Sequence, residues 1–145
     1  MTRRALLLAA IAAPGLRADA ADDAWELLAS AARALCEATA VDPPNRGTAA
    51  PFLGYFDRKM PGYETLRNNV TALIAGADLQ ATIDPLKNEG DDHARDLELD
   101  WTMRITTLVD GVTSSQRRET VKCRVEKQGR NWRIVSIAPL AFFAP

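Results

Sequence analysis

Tyr55 and Asp57, two residues apart in "FLGYFDRKM", are the side chains best suited to acid–base chemistry. A phenol donates a hydrogen bond, and a carboxylate beside it can remove a proton. The competing reading has Tyr55 and Phe56 packing while Asp57 caps a turn or faces water. A second acid, Asp100, adjoins Trp101 in "LELDWTMRITTL". Strict alternation puts Trp101 on one face with Leu97, Leu99, Met103 and Ile105, which turns Asp100 to the opposite, wet face unless an extra residue bulges the strand. The single histidine, His93, lies in "EGDDHARD". Those acids lack the Asp-x-Asp-x-Asp-Gly spacing of a calcium loop and read as a solvated hairpin tip. No metal or cofactor is therefore assigned. Gly-x-Ser-x-Gly, a phosphate-binding glycine loop, His-Glu-x-x-His and paired Cys-x-x-Cys are all missing, so nucleophilic and zinc chemistry have no carrier.

The elements that must position these residues belong to one domain. The 145 residues are 47% hydrophobic and 26% charged, near globular averages. Thr2-Arg3-Arg4, the apolar run from Ala5 to Ala13, the break at Pro14-Gly15 and the small-x-small triplet Ala18-Asp19-Ala20 predict an export leader over residues 1–20 and a mature domain over 21–145. The apolar run of about 9 residues is far short of the roughly 20 that span a bilayer. Arg3-Arg4 also fits a twin-arginine address, although the ordinary secretory route is the simpler reading. No cysteine follows the run at a lipobox position, which predicts a soluble periplasmic or secreted protein. The formal net charge is −1 and becomes more negative without Arg3, Arg4, Arg17 and Asp19. That balance argues against nucleic acid as partner, because phosphate binding needs a basic stripe.

Helical spacing of Trp25, Leu28, Ala32, Leu35, Cys36 and Thr39 predicts a first helix, opened by a capping box of Asp23 and Glu26. "DPPNRG" ends it, "AAPFLGYFDRKM" carries a short second helix, and Leu66, Val70, Leu73 and Ile74 mark a third that stops at a Gly76 cap. The period then changes to two. Leu79, Ala81 and Ile83, the Leu97–Ile105 set, Val121, Cys123 and Val125, and "WRIVSI" predict a four-stranded antiparallel meander with one dry face.

Helices followed by a curved antiparallel sheet resemble the nuclear-transport-factor-2-like (SnoaL-like) superfamily. The phrases "FLGYFDRKMPGYETLRNNV", "NEGDDHARDLELDW" and "RRETVKCRVEKQGRNWRIV" are similar to exported bacterial members of unassigned function. The resemblance implies an α+β cone, a cystatin-like roll with helices on a curved four- to five-stranded antiparallel sheet, covering residues 23–143. It also implies a ligand pocket at the open end, with Tyr55, Phe56, Trp101, Met103 and Cys123 as its wall. Isomerases of this fold use a Tyr and a protonated Asp as donors and a second Asp as base. Here the first helix has no Tyr, which leaves Tyr55 and Asp57 as the low-ranking catalytic pair.

If the first helix crosses the dry face, Cys36 and Cys123 meet. An exported location permits a disulfide, which closes a loop worth about 4–5 kcal/mol in the chain-entropy model. The alternative is two buried, inert thiols. On the wet face Glu98, Asp100 and Arg104 oppose Arg118, Lys122, Arg124 and Glu126, with Val135 and Ile137 as a small apolar patch through which a homodimer could form. The sequence thus points to an exported, non-catalytic cone that binds a small apolar ligand or a protein partner. An isomerase or lyase using Asp57 and Tyr55 is the first alternative. An envelope assembly module docking through the sheet or "PLAFFAP" is the second, although Leu140, Phe142 and Phe143 also suit closure of the core.

Overall fold

The computed structural model describes residues 12–109 and 113–145, with side chains from Ala20 onward. Residues 1–11, including Arg3 and Arg4 of the leader expected over residues 1–20, lie outside that description. Three helices, α1 (Ala12–Glu37), α2 (Ala50–Leu53) and α3 (Tyr63–Gly76), precede four strands: β1 (Ala77–Gly90), β2 (Ala94–Thr107), β3 (Ser114–Gln128) and β4 (Asn131–Ala138). A 3-10 turn over Leu140–Phe143 ends the fold. The sheet is an antiparallel meander in the order β1-β2-β3-β4. This is the α+β plan that the change of period predicts.

Helix α1 corrects two expectations. It is already helical at Ala12, well before Asp23, and runs unbroken through Pro14-Gly15. Asp23 and Glu26 consequently sit on the exposed side of a helix interior and cap nothing. The buried stripe is Ala24, Leu28, Ala31, Leu35 and Ala38, which leaves Trp25 and Cys36 half-buried. Small alanines let the helix lie close on β1, its main partner. Thr39 fixes the C-terminal end by accepting the Leu79 N–H at 3.0 Å, and Asn88 ties down the middle of the helix by donating to the Ala21 carbonyl at 2.9 Å.

At the end of α3 no left-handed glycine cap forms. Gly76 is the last helical residue, and Ala77 is already extended. The orphan carbonyls are met from outside the helix, because the Arg46 guanidinium donates to Ile74 O at 3.0 Å and also to Ala77 O. Arg46 pairs with Asp78 at 2.9 Å and is almost fully buried.

The dry face is continuous where strict alternation holds. Leu97, Leu99, Trp101 and Met103 on β2 and Val121, Cys123 and Val125 on β3 are all buried. Two bulges interrupt the alternation elsewhere. One between Pro85 and Lys87 expels Leu86 on edge strand β1, where a proline is tolerated. The other skips Val135, so that Arg124 faces Ser136 while Val125 faces Ile134. Both Ile134 and Ile137 thereby point inward. The apolar patch expected on the wet face from Val135 and Ile137 is reduced to a half-buried Val135. The rest of that face is polar, with charged pairs among neutral residues such as Gln80, Thr82, Thr102 and Gln116. Arg118 grips Asp100 through both oxygens at 3.0 and 2.6 Å, and those hydrogen bonds hold the Asp100 carboxyl below its usual range. Asp100 is a cross-strand ion-pair partner, as alternation requires.

Candidate functional site

Segment Gly54–Asp57 leaves the four-residue α2 and runs along β4. Phe56 makes a parallel bridge to Ile134. Ile134 N–H donates to Tyr55 O, and Asp57 N–H donates to Ile134 O, each at 2.9 Å. Phe56 is buried with its ring 4.9 Å from that of Phe52. This anchoring places Tyr55 and Asp57 in two adjoining clefts rather than at one point. Tyr55 lines a cleft of about 670 Å³ with Leu27, Pro51, Trp132 and Arg133. Asp57 lines one of about 620 Å³ with Arg58, Lys59, Arg67 and Gln128, and Gly54 and Arg133 border both.

The Asp57 carboxylate is already engaged. One oxygen accepts the Lys59 backbone N–H and the other the Gln128 side-chain amide, each at 2.8 Å. These bonds, with smaller help from the Lys59 and Arg133 charges, hold its pKa below the ordinary carboxylate range. A base so stabilised as an anion is weak, which disfavours the acid–base pair. Gln128 and Arg133 were not signalled by the sequence. They reach Asp57 and the Gly54 carbonyl across 71 and 79 residues, through folding alone.

The remaining predicted wall residues are core. Trp101 and Met103 are fully buried, and Cys123 nearly so. The Trp101 indole stacks edge-on against Phe143 at 5.2 Å and Phe142 at 6.0 Å, and its Nε1 has no hydrogen-bond partner. Phe142 and Phe143 therefore fill the place where the resemblance implies an interior pocket. Arg117 holds them there by donating to the Phe142 carbonyl at 2.9 Å and to that of Ala144. The two cysteines do not pair; both are free thiols. Cys36 lies against the Ala81 backbone of β1, whereas Cys123 sits on β3 opposite Leu97 and Ile137. Burial pushes the Cys123 thiol up to about 12 and raises that of Cys36.

At the hairpin tip, Asp91 accepts the N–H groups of His93 and Ala94 at 2.8 and 2.9 Å, and His93 is exposed. No group of three metal-ligand side chains occurs among the described residues. No helix among the described residues is long and apolar enough to cross a membrane.

No family model and no curated protein matches the sequence. Solved structures do match in shape. A conserved protein from Planctomyces limnophilus superposes with a TM-score of 0.70 at 8% identity, over 85% of this chain and 96% of that one. A nuclear-transport-factor-2-like superfamily protein from Salmonella enterica serovar Typhimurium gives 0.64 at 14% identity, over 83% and 89%. This chain has the nuclear-transport-factor-2-like fold. A hexachlorocyclohexane dehydrochlorinase superposes on the same cone with a TM-score of 0.65 at 11% identity, over 86% of each chain. At such identities the cone fixes the scaffold and leaves the chemistry to the residues of each member.

Proposed function

We propose that the chain is an exported, non-catalytic binding domain that takes a small apolar ligand or a short segment of a partner protein at its outer rim, in the cleft beside Tyr55. The filled interior carries this reading. With Phe142 and Phe143 packed on Trp101, a ligand has to bind outside the cone. The Tyr55 cleft supplies the aromatic and aliphatic walls that such a ligand needs, in Tyr55, Trp132, Leu27 and Pro51. Export rests on the basic start, the apolar run and the Ala18-Asp19-Ala20 triplet. The isomerase or lyase alternative loses support because Asp57 and Tyr55 line different clefts and the Asp57 oxygens are taken. Docking through "PLAFFAP" loses support because its two phenylalanines are buried.

Native mass spectrometry of protein recovered from the exported fraction tests the proposal. The expected spectrum shows a chain cut after Ala20 with a retained ligand or partner mass that Tyr55→Ala abolishes. A bare monomer, or a retained mass indifferent to Tyr55→Ala, would overturn it.

A further inference from the structure

The second cleft supports an assignment of its own. We propose that the cleft between α2, the start of α3 and the β3–β4 end binds a small soluble oxyanion of the phosphate-ester class. The site is separate from the Tyr55 wall, and the inference holds whether or not that wall takes an apolar ligand.

Elsewhere Arg118 pairs with Asp100, Arg124 with Asp96 and Glu126, Lys87 with Glu89 and Glu98, and Arg46 with Asp78, while Arg95 and Arg117 donate to backbone carbonyls. In the cleft Arg58, Lys59, Arg67 and Arg133 come together, and among them only Arg67 has a carboxylate partner, Glu64 at 2.6 Å. The other acid, Asp57, accepts from the Lys59 N–H and Gln128 and offsets part of the charge of Lys59 and Arg133. Four cations against the Asp57 and Glu64 carboxylates leave an excess of positive charge at one concave place in a chain whose net charge is −1. Gathering like charges is unfavourable unless an anion joins them, and a focusing cleft raises the local anion concentration.

The other walls fit the same occupant. Tyr63, the first residue of α3, lines the cleft, and α3 has no side-chain cap, so the positive end of the helix dipole adds to the field. Tyr63 and the Gln128 amide are neutral donors. Buried Leu53 and Phe56 form an apolar floor that lowers the local dielectric. Guanidinium forks suit the bidentate geometry of phosphate oxygens, with Lys59 as a point charge. The volume of about 620 Å³ suits a small molecule.

Titration of the 15N-labelled full chain with inorganic phosphate, against sodium chloride at equal ionic strength, tests the assignment. Saturable shifts at Lys59, Tyr63 and the Gln128 side-chain amide are expected. Arg58→Gln with Lys59→Gln, exposed side chains with no hydrogen bond to the fold, should weaken phosphate affinity about tenfold or more, the effect of losing one charge-assisted contact. Lys122→Gln on the outer sheet face should leave it unchanged. Absence of saturation beyond chloride, or equal weakening by Lys122→Gln, would overturn the site. Glycerol phosphate should saturate the same resonances. Response only to vesicles containing phosphatidic acid would overturn the soluble-ligand assignment in favour of a lipid surface.

Discussion

Replacing Phe143 by alanine probes the closure of the cone directly. The ring is fully buried and lies 5.2 Å from both Trp101 and Phe142 and 6.0 Å from Phe52. An aromatic side chain buries about 150–250 Å², which at roughly 25 cal/mol per Å² is about 4–6 kcal/mol before correction. Alanine keeps the β-carbon, and the unfolded chain already hides part of the ring, so that figure is an upper bound. Measured Phe→Ala costs of about 3–5 kcal/mol already contain the cavity term. The expected loss is therefore about 3–4 kcal/mol, a large share of the roughly 5–15 kcal/mol that holds a domain together. Urea unfolding followed by Trp fluorescence should show a lower midpoint with an unchanged slope. The vacated volume is apolar, so benzene should restore part of the midpoint. A loss below about 1 kcal/mol would refute the reasoning, because a core residue in this position cannot be that cheap to truncate.

The carboxylate of Asp57 contributes stability only as an anion, since its native pKa is lowered by the Lys59 N–H and Gln128. That contribution is present above the unfolded value of about 3.9 and is lost as pH falls through the native value. Asp57→Asn should flatten the acid limb of Tm against pH, and an unchanged slope would contradict the hydrogen bonding described. Gly62, at φ +80°, would place a new β-carbon 2.6 Å from Leu140 Cδ1. Gly62→Ala should cost about 1–2 kcal/mol from the left-handed backbone alone; adding Leu140→Ala should relieve the clash and leave that backbone share in thermal denaturation. Thiol labelling of the native protein under non-reducing conditions should be slow at Cys36 and absent at Cys123, with both reacting in urea; a single-disulfide mass would refute the free-thiol assignment. Ala20 is buried inside α1, so if residues 1–20 are the proposed leader, signal peptidase should cut the unfolded precursor and spare the folded one. Equal cleavage of both would refute that burial.

Local pattern carried most of the fold and little of the site. Alternation in "LELDWTMRITTL" is long enough to place Trp101 inward and Asp100 outward without ambiguity. The shorter "WRIVSI" hides a bulge at Val135, and a one-residue slip sends Ile137 to the other face. Asp23 and Glu26 carry a sound capping signature, yet the same residues are unremarkable on the exposed side of a longer helix. The Gly76 cap failed for a tertiary reason, because Arg46 from a distant loop serves the carbonyls instead. In the site, Tyr55, Phe56 and Asp57 were visible as residue types. Their division between two clefts depends on a bridge to Ile134 that no local pattern encodes.

The filled interior bears on where a cone of this fold can bind. A curved sheet with Leu97, Leu99, Trp101, Val121 and Val125 on its inner face leaves apolar area that must be covered by a ligand or by protein. Here α1 lies mainly on β1, and the chain's own C-terminal turn packs on Trp101 of β2. The unpartnered Trp101 Nε1 shows the compromise, since burying such a donor costs about 1–3 kcal/mol. The Phe142 and Phe143 rings offset that cost by the area they remove from water, and Arg117 fixes them by the tail carbonyls. Once the chain supplies its own plug, the concave face no longer discriminates among ligands. On the proposed reading discrimination passes to the rim, where Tyr55 and Trp132 line one cleft and the cations beside Asp57 line the other.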